Sequence, residues 1–124
     1  MNDVEIIIRH YPVTTESSLN LALASECAHE QGLFWNMHDK LFQSSSPAEN
    51  ILNIAKQSGL NMQQFASCLE SQKYLDNVRQ DAQLAQTIGA QGTPTWVING
   101  HRFDGAIPEN IFTQIVDALV NIKN

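Results

Sequence analysis

The stretch Gly92-Thr93-Pro94-Thr95-Trp96-Val97-Ile98-Asn99-Gly100-His101-Arg102-Phe103-Asp104-Gly105 decides the fold. Residues 95–98 are β-branched or aromatic, which suits a pleated, half-buried surface. Asn99-Gly100 is the strongest two-residue hairpin signal, because both central positions of a type I′ turn need positive φ. Arg102 and Phe103 begin a return strand and Gly105 ends it. Pro108 then suits the first turn of a closing helix whose face is Ile111, Phe112, Ile115, Leu119 and Ile122.

Upstream of the hairpin the apolar period changes from that of a strand to that of helices. A helix over residues 73–88 turns Tyr74, Val78, Ala82 and Ala85 to the core and stops at Gly89. Before it, Asn61 caps a helix with Gln64 three residues on, the spacing of a capping box, and Met62, Phe65, Ala66 and Leu69 form its face. A short helix through Leu52 and Ala55 closes at Ser58-Gly59. Residues 34–42 place Phe34, Met37, His38, Leu41 and Phe42 on one helical face, and Ser44-Ser45-Ser46-Pro47 breaks it. The first helix, about four turns long, carries Leu19, Leu23 and Cys27 at every fourth residue with Ala24 and Ala28 beside them. Thr14, Thr15 and Ser17 are its candidate caps, and it ends near Gly32. Residues 4–9, with Val4, Ile6, Ile7 and Ile8 around Glu5, read as a short, largely buried strand stopped by Tyr11-Pro12.

At 124 residues with 43% apolar and 16% charged composition, the chain suits one small domain with one core. Its formal charge of -6 comes from scattered acidic residues, and no basic stripe offers a nucleic-acid footprint. The apolar run near the start is too short for a membrane span or a signal-peptide core. Nothing in the chain exports it, so it is cytoplasmic if Met1 is the natural start. His29 and His38 are too far apart for a one-face pair, and His10 and His101 lack ligand-type neighbours, so neither metal nor cofactor is expected. Cys27 and Cys68 form no Cys-x-x-Cys and no zinc pair, which leaves two readings, a pair of buried thiols or one structural bridge. Phe34 and Trp35 line either a groove or the rim of the core.

Four stretches in this order carry a resemblance. They are Arg9-His10-Tyr11-Pro12 after a strand, ASECAHEQGLFW at residues 24–35 running on to His38-Asp39 and Leu41-Phe42, residues 65–69, and the Gly92-Thr93-Pro94-Thr95 entry to the hairpin. Together they resemble the DsbA-like thiol-disulfide oxidoreductases of thioredoxin fold, over essentially the whole chain. The resemblance implies an α/β thioredoxin-like fold, a single partial domain over residues 1–124, with a helical subdomain inserted at about residues 14–89. It also implies a cis bond between Thr93 and Pro94, and a loop there that holds extended polypeptide substrate. A tight turn entering a strand is the plainer reading of the same two residues. Relatives often carry cysteines at the two places of Cys27 and Cys68, which favours the bridge. Closing that loop of about 42 residues is worth roughly 4 kcal/mol in the chain-entropy model.

The departure from the family is as informative. Its members begin with a strand and a helix bearing Cys-x-x-Cys, and that unit would precede Met1. A truncated thioredoxin domain lacking its central strand forgoes roughly 6 to 12 kcal/mol of apolar burial at about 1.5 to 3 kcal/mol per side chain. Such a chain is expected to pair its flanking strands directly, or to form a homo-oligomer by strand exchange. The leading expectation is a domain of a disulfide-exchange enzyme, inactive alone because its redox motif is missing, and periplasmic or otherwise extracytoplasmic as the resemblance implies. The alternative is a non-catalytic thioredoxin-like module that binds a peptide or partner. A generic all-helical interaction domain would require the hairpin signal to be accidental.

Overall fold

The computed structural model describes residues 4–12 and 15–120, so the candidate cap Thr14 and the face residue Ile122 lie outside the described residues. Two compact units emerge, one from His10–Ala82 and one from Met1–Arg9 with Gln83–Asn124.

The first unit is helical. Helix α1 (Glu16–Glu30) starts where the Thr15 hydroxyl accepts the Ser18 N–H. Its Ala22, Leu23, Ala24, Ser25, Cys27 and Ala28 are all buried, because small side chains let neighbouring helices close in around it. Helix α2 (Phe34–Gln43) follows, then a 3-10 turn at Ala48–Asn50, α3 (Ile51–Gln57) and α4 (Met62–Glu70). Ala24, Cys27, Ala28, Met37, Ile54, Ala55, Leu60, Phe65 and Cys68 form one core cluster. Ala22, Leu23 and Val78 form a second with Leu19, Tyr74 and Leu75, the last two at the start of α5 (Leu75–Thr87).

Several helix ends share one device. Leu33 N–H reaches back to Ala28 O and Gly32 N–H to His29 O, with Gly32 at φ 74°. The same pair of bonds recurs at Gly59 and Gly89, so these glycine stops of the sequence are Schellman caps. A fourth follows α4 at Gln72, φ 52°, where no glycine marks it. The expected capping box is half made. Asn61 accepts the Gln64 N–H at 3.0 Å, but the Asn61 N–H goes to Gln31 Oε1 at 2.7 Å, while Gln31 Nε2 donates to Asn61 O at 3.1 Å. Gln64 is thereby released to donate to Glu30.

In the second unit β1 (Thr95–Ile98) and β2 (His101–Asp104) pair antiparallel, with Trp96 opposite Phe103 and Ile98 opposite His101. Asn99 at φ 49° and Gly100 at φ 85° make the type I′ turn. Trp96 packs against Phe112 of α6 (Glu109–Val120) with 4.7 Å between centroids and the rings tilted by 57°, and its Nε1 donates to Gly105 O at 3.2 Å. Arg102 Nη1 donates to Ile88 O at 2.6 Å, holding the hairpin to the end of α5.

Residues 4–9 correct the sequence expectation of a buried strand. They adopt no strand, and Ile6 and Ile7 are 66% and 62% exposed, so neither face of the segment is covered. Alternation predicts a strand only if a neighbour supplies the ladder, and the sheet of the described residues has two strands, β1 and β2. Helix α2 carries a second correction: Met37 is its buried residue, whereas Phe42 is 81% exposed.

Candidate functional site

The Gly-Thr-Pro loop is built by the hairpin that follows it. Thr95 Oγ1 donates to Gly92 O at 2.7 Å and Gly105 N–H to Pro94 O at 2.9 Å, which fixes the loop from both sides. The Thr93–Pro94 bond is cis, and both residues are exposed. Gln91, Gly92, Thr93, Pro94, Thr95, Asp104 and Gly105 line a shallow recess of about 110 Å³.

Antiparallel alternation sets which way the main chain points. Pro94 opposite Gly105 and Ile98 opposite His101 are hydrogen-bonding positions, so the N–H and C=O of Thr95 and Val97 face away from β2. The described sheet ends there, and Thr93 makes no hydrogen bond among the described residues. The loop and the outer edge of β1 therefore present an unpaired row of donors and acceptors, a surface suited to an extended chain. Sequence reasoning had singled out Thr93 and Pro94 but not the continuation of that row through Thr95 and Val97. The hairpin register contained that signal.

No thiol belongs to this loop. Cys27 and Cys68, both in the helical unit, are joined with 5.9 Å between their Cα atoms. At 1% and 5% exposure they are sheltered from an incoming thiolate, so the bridge ties α1 to α4 and offers no ready exchange chemistry. Of the two readings left by the sequence, the structure has the bridge.

Two polar clusters surround α1. Glu30 accepts hydrogen bonds from Lys73, from Tyr74 Oη at 3.2 Å and from Gln64 Nε2 at 3.4 Å. The Lys73 ammonium holds the Glu30 carboxyl below its ordinary value, and Glu30 in turn raises Lys73. Burial, with the Glu30 charge second, pushes the Tyr74 phenol up. The His10 ring meets Glu26 Oε1 at 2.6 Å, and the His10 N–H donates to Asp81 Oδ2 at 3.1 Å. Among the described residues no group of three or more His, Cys, Asp or Glu side chains could hold a metal.

Sequence reasoning also missed a ring array. Phe34 meets Trp35 at 5.0 Å and His38 at 5.6 Å, and His38 meets Phe42 at 4.8 Å, all along α2. Trp35 is 49% exposed, so it belongs to this surface stripe. The i, i+4, i+8 spacing of Phe34, His38 and Phe42 puts them on one face of α2, as the sequence pattern implies, but the spacing does not say whether that face is covered.

Comparison with known proteins agrees with this geometry. A thioredoxin-like oxidoreductase from Silicibacter pomeroyi has a solved structure that superposes with a TM-score of 0.83 at 27% identity, over 93% of this chain and 68% of that one. Na(+)/H(+) antiporter NhaA of Herminiimonas arsenicoxydans is 30% identical over 94% of this chain but only 19% of its own length. Na(+)/H(+) antiporter NhaA 3 of Salinispora tropica is 34% identical over 87% and 17%. The chain thus spans about a fifth of the length of the curated relatives it matches. No helix of the described residues is long and apolar enough to cross a membrane. The model of the thioredoxin family matches residues 2–118, and with the fold shared by the Silicibacter oxidoreductase this establishes that the chain belongs to the thioredoxin family.

Proposed function

We propose that this chain is the polypeptide-holding part of a DsbA-like thiol-disulfide oxidoreductase, inactive in exchange by itself. The unpaired main-chain groups of Thr93 on an exposed loop carry this reading, because an extended substrate can complete them with its own peptide groups. In this reading the helical unit His10–Ala82 is an insertion in a thioredoxin domain, and the domain's central strand and Cys-x-x-Cys belong to a segment outside these residues. A bridge such as Cys27–Cys68 persists in an oxidising compartment, which supports an extracytoplasmic home. The alternative is a non-catalytic module that holds a peptide or partner. It is favoured by the sheltered position of both cysteines and by the likeness to a small share of much longer proteins.

Insulin reduction in the presence of dithiothreitol tests the first half of the reading, and the 124-residue chain should not exceed the uncatalysed rate. Turnover abolished by Cys27→Ala would mean that the bridge is itself the redox group. Titration with a reduced, carboxymethylated polypeptide tests the second half. It should move the amide resonance of Thr93, and an unmoved loop would end the assignment.

A further inference from the structure

The helical unit holds a recess of about 310 Å³ between the last turn of α2 and one face of α3. Lys40, Gln43 and Ser44 line it from α2 and its cap, and Asn50, Asn53 and Gln57 line it from α3 and its cap. The first three are spaced i, i+3, i+4 and the second three i, i+3, i+7, so each set shares one helical face. The buried Ile54 forms the floor. All of these residues fall within residues 40–57, so a single stretch of chain builds the whole recess. Ligand clefts run from about 300 to 1,000 Å³ and are mostly apolar. This one is small and polar, which suits a short hydrophilic group.

The polar groups of the recess are largely unspent. Among the described residues the side chains of Gln43, Asn53 and Gln57 make no hydrogen bond, and Lys40 makes no ion pair. Asn50 Nδ2 donates to Ser46 O at 2.9 Å and Ser44 Oγ accepts the Ser46 N–H at 3.2 Å, which leaves the Asn50 side-chain oxygen and the Ser44 hydroxyl proton for other use. Lys40 is the one charged residue in the lining, although the chain carries a formal charge of -6. What an amide side chain of this kind takes is visible elsewhere in the same unit, where Gln31 meets the Asn61 main chain as acceptor at 2.7 Å and donor at 3.1 Å.

We propose that this recess captures the carboxylate end of a polypeptide, with the Lys40 ammonium on the carboxylate and the amides of Gln43, Asn53 and Gln57 on the last peptide groups. The ammonium is a compact charge that strengthens its hydrogen bonds to a carboxylate. The amides match main-chain donors and acceptors and no particular side chain, so the site recognises a chain end and not a sequence. No aromatic ring lines the recess, so a sugar acid finds no face to stack on. The site shares no residue with the Thr93 loop and needs nothing of its function.

The test is an NMR titration of the 124-residue chain with N-acetyl-trialanine, once with a free carboxylate and once as the C-terminal amide. The free acid should move the Ser44 amide and the side-chain NH₂ resonances of Gln43, Asn53 and Gln57, and should bind at least about fivefold more tightly than the amide. Lys40→Gln should erase that difference and Lys40→Arg should keep it, with the helical circular dichroism signal unchanged in both. Asn53→Leu should weaken both peptides alike. Equal binding of the two peptides overturns the proposal, as does a recess that neither peptide moves or a difference that survives Lys40→Gln. Acetate or galacturonate binding as tightly as the free-acid peptide overturns it too, because the amide side chains then read no peptide group.

Discussion

The helical unit and the hairpin unit share a chain but are finished to different degrees. In the first, Phe65, Leu23, Met37, Val78 and Cys27 are fully buried, and a disulfide crosses the core. In the second, apolar side chains such as Val97 and Ile111 stay exposed. The difference has a physical origin. Consecutive helices satisfy their own main-chain groups and need only apolar faces to close on one another, whereas a two-stranded hairpin leaves half of each strand's hydrogen bonds to a neighbour. Stability should therefore be uneven along the chain, high in residues 10–82 and low in the hairpin.

The strongest attempt to break this contrast is Phe65→Ala. Removing a fully buried ring should cost about 3–5 kcal/mol, read as a lowered urea midpoint of the helical circular dichroism signal. A loss below about 1 kcal/mol would mean that the helical core is not the stable part. Next in size, replacing Cys27 and Cys68 together by Ala should cost about 2–4 kcal/mol in the same titration, since a long loop is released in the unfolded chain.

Gly89→Ala acts on the other unit. Gly89 sits at φ 79°, and an added Cβ would stand 2.6 Å from Arg102 Nη1. The variant should lose about 1–2 kcal/mol of local stability, seen as faster hydrogen exchange in β1 and β2 while the helical unit keeps its urea midpoint. Exchange rising equally in both units would erase the distinction between them.

The smallest effect is electrostatic. Lys73 lowers the Glu30 pKa in the folded chain, so this carboxylate contributes stability above its unfolded value near 4.5, and the contribution is lost as pH falls through the lowered folded value. Lys73 and Tyr74 are shifted upward, so their contributions hold below their ordinary values of 10.5 and 10.0 and fade above them. Glu30→Gln should flatten the acid limb of melting temperature against pH, and an unchanged limb would assign acid sensitivity to other carboxylates.

What could be read from sequence was what a few neighbouring residues decide. Asn99-Gly100 specified its turn because few residues tolerate positive φ there, and Gly32, Gly59 and Gly89 marked helix ends for the same reason. Gln72 makes an equivalent cap without that mark, so it went unseen. The errors were tertiary. Residues 4–9 have the composition of a strand but no neighbouring ladder, and Phe42 has core spacing yet faces solvent in a ring array. For the site, Thr93 and Pro94 were legible as a motif, while the outward edge of Thr95 and Val97 required the register. Whether Cys27 meets Cys68 depends on how α1 approaches α4, which no local pattern contains.

The reciprocal pair of hydrogen bonds between the Gln31 side chain and the Asn61 main chain makes a carboxamide act as a surrogate peptide unit. A donor and an acceptor held in one plane are what a neighbouring strand would otherwise provide, so position 31 is selective for chemistry rather than size. Glutamate there turns a second acceptor toward the Asn61 carbonyl, and lysine leaves the Asn61 N–H unanswered. A single amide side chain thus sets where the fourth helix begins relative to the end of the first.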